Sequence, residues 1–245
     1  LEVNNLVKDF GGLRANDGIS FHLEPGELLG LIGPNGAGKT TLFNCIAGKH
    51  PVTSGRIVFD GEDITALRAP EVARRGLART FQVYAASGDL TVRENVMVGC
   101  FMRTPSRRKA GEKADTILAD LNLMAAADQY VSELPVAAQK KVTMATALGT
   151  QPKLLLLDEV VAGLNPGEIE EIMASIRHIH HQLGVTVILI EHVMELVMRT
   201  SDRLIVLDYG RKIAEGLPDE IARDPQVIKA YLGDRYVKEH GGEVG

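Results

Sequence analysis

The stretch Gly33-Pro34-Asn35-Gly36-Ala37-Gly38-Lys39-Thr40 carries the spacing G-x-x-x-x-G-K-[ST]. A phosphate chain explains each part of it. Glycines let the backbone wrap around oxygens and turn several N–H groups inward. A helix starting near Gly38 adds its positive dipole end. Lys39 would reach the β- and γ-phosphates as a point charge, the Thr40 hydroxyl would ligate Mg2+, and Thr41 would reach an α-phosphate oxygen. A plain glycine-rich turn before a helix has similar residues. Here the pattern follows a strand-like segment and opens a helix-like one, the context that phosphate binding requires.

A second chemical cluster lies far along the chain, where Leu154-Leu155-Leu156-Leu157 runs into Asp158-Glu159. A continuous apolar run marks a strand buried on both faces, and open α/β sheets place ligands at the carboxyl ends of such strands. Asp158 is expected to hold Mg2+, directly or through water, and Glu159 to polarise an attacking water. Solvated acids are common at strand ends. The pairing with Lys39, across an intervening helical stretch, favours the metal-and-base reading.

Positioning these groups requires a frame. Strands are expected at Ile19–Leu23, Glu27–Ile32 and Gly55–Asp60, the last closed by the turn Asp60-Gly61, and their close spacing predicts a small antiparallel sheet near the N-terminus. Gly38–Gly48 reads as a helix. From about Leu90 to Gly149 nearly everything has helical spacing. Thr91 and Glu94 form a capping-box pattern, Lys109–Leu123 sets Ile117, Leu118 and Leu121 on one side, and Gln139–Leu148 is a further helix. Alternation then returns with a strand at Lys153–Leu157, a helix over Pro166–Leu183 with proline first, and a strand at Val185–Ile190. A strand pair, Arg203–Leu207 and Lys212–Glu215, flanks Tyr209-Gly210, and short helices finish the chain. The pattern is an α/β core interrupted by an all-helical insertion, without internal repeats.

Composition agrees with one substantial core, or two small ones: 245 residues, 45% hydrophobic and 24% charged. A net charge of −5 gives no reason to expect nucleic acid as a partner. Cys45 and Cys100 fit no metal or redox spacing and read as reduced, buried thiols. No apolar run reaches the length of a bilayer span, and Leu1-Glu2-Val3-Asn4 lacks a signal pattern, so other chains are expected to bring the protein to any membrane where it works.

With these residues in place, the chain resembles the ATP-binding subunits of ABC transporters over nearly its whole length. The resemblance implies a P-loop NTPase core with a small antiparallel β subdomain, about residues 1–82 and 152–245, and an inserted helical subdomain at about 83–151. It implies that Gln82, in Arg79-Thr80-Phe81-Gln82, senses Mg2+ and the γ-phosphate, and that His192, in Ile190-Glu191-His192, contacts the γ-phosphate. Phe10 takes the place of an aromatic residue that stacks on adenine, and Asn165, in Ala162-Gly163-Leu164-Asn165, belongs to a loop that touches the opposite subunit.

The signature loop departs from the family. Leu-Ser-Gly-Gly-Gln is replaced by Leu134-Pro135-Val136-Ala137-Ala138-Gln139. Pro135 has neither the hydroxyl nor the N–H of the usual serine. Ala137 replaces a glycine, and would cost on the order of 1–2 kcal/mol if that position needed a positive φ. Val160-Val161 also replaces the usual proline and its neighbour after the acids. The signature is read as a working variant, with an inactive half-site completed by a partner as the alternative.

Further stretches are similar to the branched-chain (hydrophobic) amino-acid importer group: Phe10-Gly11-Gly12-Leu13, Gly76–Gln82, Leu90–Val96, Glu191-His192-Val193-Met194 and the tail Asp224–Gly233. The resemblance implies an ATP-hydrolysing importer subunit with ATP and Mg2+ as cofactors, taking up branched-chain amino acids or a related small polar, amide or organic-acid solute. Its implied partners are a second ATP-binding subunit in a homo- or heterodimer, two transmembrane permeases and, indirectly, a periplasmic solute-binding protein. Its implied place is cytoplasmic, at the inner face of the plasma membrane. The competing readings are a non-transport ABC ATPase, disfavoured by the lack of a heptad tract, and a low-turnover regulatory subunit, which the altered signature permits. His178, His180 and His181 are expected on a solvated helix face, and Arg103, Arg107, Arg108 and Lys109 in a solvated basic loop.

Overall fold

The computed structural model describes residues 1–80 and 86–231. It divides into two units, residues 1–68 with 189–245 and residues 69–188.

The first unit opens with β1 (Glu2–Phe10) and β2 (Leu13–His22), an antiparallel hairpin turning at Gly11, whose φ of 55° suits glycine. With β4 (Ser54–Phe59) and β5 (Glu62–Asp63) they make the antiparallel sheet β2-β1-β4-β5; of the three strands expected in such a sheet, the one at Glu27–Ile32 lies outside it and pairs in parallel instead. β1 itself is not legible as a strand. Its pairing shifts register at several points, Asn5 has a positive φ of 49°, and its inward positions include a lysine, Lys8, so no clean alternation survives.

β3 (Leu28–Ile32) is buried throughout and leads into α1 (Lys39–Ile46). It pairs in parallel with β9 (Arg203–Asp208), which continues antiparallel into β10 (Arg211–Gly216) around Tyr209-Gly210. α7 (Met194–Thr200) and α8 (Pro218–Ile221) cover this strand set through a cluster of Ile32, Val197, Leu204, Val206, Ile221 and Val227. Arg203 ties the set together by pairing with Glu27 at 2.7 Å and with Glu215.

The second unit contains α2 (Ala69–Arg74), β6 (Leu77–Arg79), α3 (Val92–Cys100), α4 (Arg107–Asp120), α5 (Val136–Gly149), β7 (Leu154–Asp158) and α6 (Pro166–His181). β8 (Thr186–Ile190) carries the chain back to the first unit. The strand order is β8-β7-β6, with β6 parallel to β7. α3 is capped as its sequence requires, with Thr91 and Glu94 bonded reciprocally. It packs closely on α5 because a Cβ on Gly99 would lie 2.0 Å from the Thr146 carbonyl oxygen. The buried face of α4 is Ala110, Ala114 and Leu118, so its stripe runs through small residues, and Ile117 is only partly covered. α6 begins with Asn165 as cap and Pro166 as first residue. His180 departs from the solvated face expected of it: it is buried on the apolar side of α6, with Nδ1 3.5 Å from the Val185 carbonyl oxygen. Both cysteines are buried free thiols, and burial pushes Cys45 up to about 11. Among the described residues no helix is long and apolar enough to cross a membrane.

Candidate functional site

In the first unit, the loop between β3 and α1 is shaped by glycines. Gly33, Gly36 and Gly38 have φ of 148°, 81° and 98°. A side chain is also sterically barred at two of them. A Cβ on Gly33 would lie 2.1 Å from the Leu207 carbonyl oxygen, and one on Gly38 would lie 2.5 Å from that of Ala15. The loop is braced from outside by Asn16 Nδ2, which donates to the Gly38 carbonyl at 3.1 Å, and by the Gly210 N–H, which donates to Ala37 O at 3.1 Å.

Lys39 is buried and folds back over the loop, its Nζ donating to Gly33 O at 2.6 Å and to Pro34 O at 2.9 Å. Asn35 and Gly36 stand exposed at the loop crest, while Thr40 and Thr41 are half-buried in the first turn of α1. The outcome is a concave rim of backbone with one ammonium fixed across it, a receptor for a polyanion. Beside it lies a cavity of about 620 Å³ bounded by Pro34–Ala37, Asp208, Tyr209, Ile213 and the helical residues Gln226, Lys229 and Ala230. Desolvation pushes the Tyr231 hydroxyl up to about 12, with the Gly33 N–H acting in the opposite direction.

In the second unit, β7 is anchored by its four buried leucines, each worth about 2 kcal/mol of burial. Asp158 at its end is fully buried and accepts from Arg79 Nη2 at 2.7 Å, with the Arg79 side chain 8% exposed. Breaking such a pair by removing one partner costs about 3–5 kcal/mol, because a charge is left buried. Glu159 follows with a φ of 52°, a left-handed conformation that costs a non-glycine residue on the order of 1 kcal/mol. This turn takes its side chain off the strand axis immediately after the buried aspartate.

Comparison with known proteins places the chain in a family. A family profile described as "ABC transporter" matches residues 16–162, and a second, "Branched-chain amino acid ATP-binding cassette transporter", matches residues 211–237. The chain belongs to the ABC transporter ATP-binding family. It is 40% identical to the high-affinity branched-chain amino acid transport ATP-binding protein BraF of Pseudomonas aeruginosa, over 96% of this chain and 98% of that one. It is likewise 40% identical to LivG of Escherichia coli, with the same coverage. Among solved structures, a nucleotide-free ATP-binding cassette from an ABC transporter superposes with a TM-score of 0.87 at 33% identity, covering 95% of this chain and 98% of that one. As a member of the family the chain is an ATP-binding, ATP-hydrolysing subunit of a transporter.

The other residues expected at the site fall as follows. Phe10 ends β1 with its ring 42% exposed, the Lys8 ammonium 4.6 Å from its centroid and the His50 ring against its edge at 5.4 Å. His192 is exposed between β8 and α7. Gln82 lies outside the described residues. Asn165 caps α6, accepting from the Glu168 N–H at 3.1 Å, so its side chain has a local duty in this chain.

The signature stretch corrects an expectation. α5 starts at Val136, not at Gln139, so Ala137 is helical and has no positive φ. The strain foreseen for a side chain there is absent, and Ala137 is buried. Pro135 is the cap residue and provides no side-chain bond, while Gln139 Nε2 donates back to Leu134 O at 2.8 Å. Lys140 reaches over to Ala162 O at 2.6 Å, linking α5 to the loop before Asn165.

Sequence reasoning missed Arg79, Asn16 and Tyr231 as neighbours of the chemical groups. Each acts over a long chain separation, 79 residues for Arg79 to Asp158, and no local spacing announces it.

Proposed function

We propose that the chain binds Mg2+-ATP through Gly33–Thr41 and hydrolyses it with Glu159 as general base, driving solute import. The observation that carries this reading is the buried Lys39 ammonium, held by Gly33 O and Pro34 O across a glycine-built loop. A triphosphate would exchange those two carbonyl contacts for charge-assisted bonds to its β- and γ-oxygens. Thr41 would take an α-phosphate oxygen and Phe10 the adenine face. For the metal, Thr40 would supply a hydroxyl and Asp158 a carboxylate, both hard oxygens, and Asp158 pairs with the cation of Arg79 at 2.7 Å. This fits Mg2+, and Gln82 would complete the set. Bound there, Mg2+ would neutralise charge developing on the γ-phosphoryl oxygens.

Glu159 would take a proton from the attacking water as its oxygen bonds to the γ-phosphorus and the bond to the ADP oxygen breaks. His192 would fix the γ-phosphate. The subunit would work as a homo- or heterodimer, each ATP lying between Gly33–Thr41 of one copy and Leu134–Gln139 of the other, with Asn165 near the dimer seam. Residues 1–82 and 152–245 would act as the nucleotide core and 83–151 as the helical subdomain that passes closure to two permeases. Those permeases would hold the chain at the cytoplasmic face of the plasma membrane, and a periplasmic binding protein would deliver the solute. The names of the relatives and of the profile at residues 211–237 support a branched-chain amino acid as cargo.

Two variants test the reading. Lys39→Ala should weaken ATP binding roughly 100-fold in calorimetry, the loss of one strong charge-assisted contact. Glu159→Gln should bind ATP normally and accumulate ATP-bound dimers while hydrolysis stalls. Unchanged turnover in either variant refutes the corresponding role, and a wild type that binds ATP without turnover supports the low-turnover alternative.

A further inference from the structure

The Asp158 carboxylate, assigned above to the metal, is held here by a protein cation. Arg79 Nη2 donates to Asp158 Oδ2 at 2.7 Å, with both side chains almost wholly removed from solvent. A carboxylate so engaged offers less negative charge to Mg2+ than a solvated one, because the guanidinium on Oδ2 already draws on the charge that the metal would use. The surrounding backbone is held independently of this bond. β6 keeps its register on β7 through Leu77, Ala78 and Arg79, opposite Leu154, Leu155 and Leu156. Beyond the strand, the Thr80 N–H donates to Leu156 O at 2.9 Å, and the Asp158 N–H donates to the Thr80 hydroxyl at 3.4 Å. The guanidinium can therefore leave the carboxylate without unzipping the strand pair.

We propose that Arg79 is a placeholder cation: it neutralises the buried Asp158 when no metal is bound and must withdraw when Mg2+-ATP arrives. The inference rests on the assignment of Asp158 to the metal. Two consequences follow. Arg79 supplies a buried counter-charge to this carboxylate at the end of β7. Metal binding becomes conditional, since Mg2+ must bring enough charge and enough phosphate contact to displace an internal competitor. Arg79 is thus a positioning residue that sets the Mg2+ threshold, and it touches no reacting atom.

The test is Mg2+ titration of fluorescent-ATP binding in a Glu159→Gln background, where hydrolysis does not interfere. Arg79→Gln removes the competing charge and should lower the Mg2+ midpoint by about 10-fold, the scale of one charge-assisted bond. Arg79→Lys keeps a charge but loses the planar fork and should fall between Gln and wild type. Melting without nucleotide gives a second readout: Arg79→Gln should melt below wild type in chelator and recover more than wild type on adding Mg2+. If Arg79 merely orients Asp158, the order reverses, with Arg79→Gln needing the most Mg2+, and the proposal falls. Should Arg79→Gln not fold, an unchanged or raised midpoint in Arg79→Lys is equally fatal. Asp158→Asn separates the two levels. If it leaves the Mg2+ midpoint intact, the metal assignment itself fails. If it abolishes Mg2+ dependence while the Arg79 variants match wild type, only the placeholder fails.

Discussion

Two loops in this chain each launch a helix, and they do so by different backbone routes. Before α1, the loop Gly33–Gly38 turns through three glycines at positive φ, and the last of them is the left-handed cap residue of the helix. Before α5, the stretch Leu134–Gln139 uses no positive φ at all: Pro135 sits at φ −57° and ψ 153°, and the helix begins at once. Neither helix has a side-chain cap. Both leave first-turn N–H groups without an intrahelical acceptor. The glycine loop is fixed by sterics, because backbone from other segments fills the space where side chains would go. The proline loop is fixed by an ordinary extended-to-helix junction that many residues could occupy. The first is therefore brittle to substitution and the second is tolerant.

The brittle side gives the largest effect. Gly38→Ala places a Cβ 2.5 Å from Ala15 O and 2.6 Å from Asn16 Nδ2, at a φ of 98°. Left-handed strain of about 1–2 kcal/mol adds to overpacking of a similar size, giving about 3 kcal/mol. For a chain of this length that lowers Tm by about 6–12 °C in a calorimetric melt, and ATP binding should fall with it. A variant that melts like wild type would show that the loop has slack the geometry does not reveal.

This contrast also marks how far the sequence reaches. Gly33–Thr40 is legible because its chemistry is local: the residues proposed to bind phosphate are the residues that make the turn. β7 is legible because four consecutive leucines before two acids leave a buried strand as the simplest reading. Signals fade where function depends on distant partners. The Arg79–Asp158 pair spans 79 residues, and β6, which presents Arg79, is only three residues long. β1 disappears into bulges and an inward lysine, and the buried stripe of α4 hides in alanines. At Ala137 the family's glycine suggested strain, but backbone dihedrals are set by the whole junction, and Pro135 moves the helix start forward to Val136.

On the tolerant side, Pro135→Ser should be a gain. The cap position of α5 has no side-chain acceptor, and its φ and ψ already suit serine. A serine hydroxyl accepting from the second or third N–H of the helix is worth about 1 kcal/mol. The expected result is a rise in Tm of about 2–4 °C. A fall would mean that the proline ring, by rigidifying the unfolded chain, contributes more than a cap would.

Ala137→Gly, the exchange that restores the family residue, should do least. Were backbone crowding the fault of this signature, glycine would relieve it, raising both stability and ATP turnover. With Ala137 helical and buried, glycine instead removes a packed methyl and adds backbone entropy to the unfolded state. The cost is at most about 1 kcal/mol, and less near a helix start than in its middle. Tm should drop by no more than about 4 °C, and single-turnover hydrolysis should match wild type. A clear rise in hydrolysis would mean that the ATP-bound dimer reshapes Leu134–Gln139 into a glycine-demanding turn. That would confine the contrast between the two loops to the backbone conformation described here.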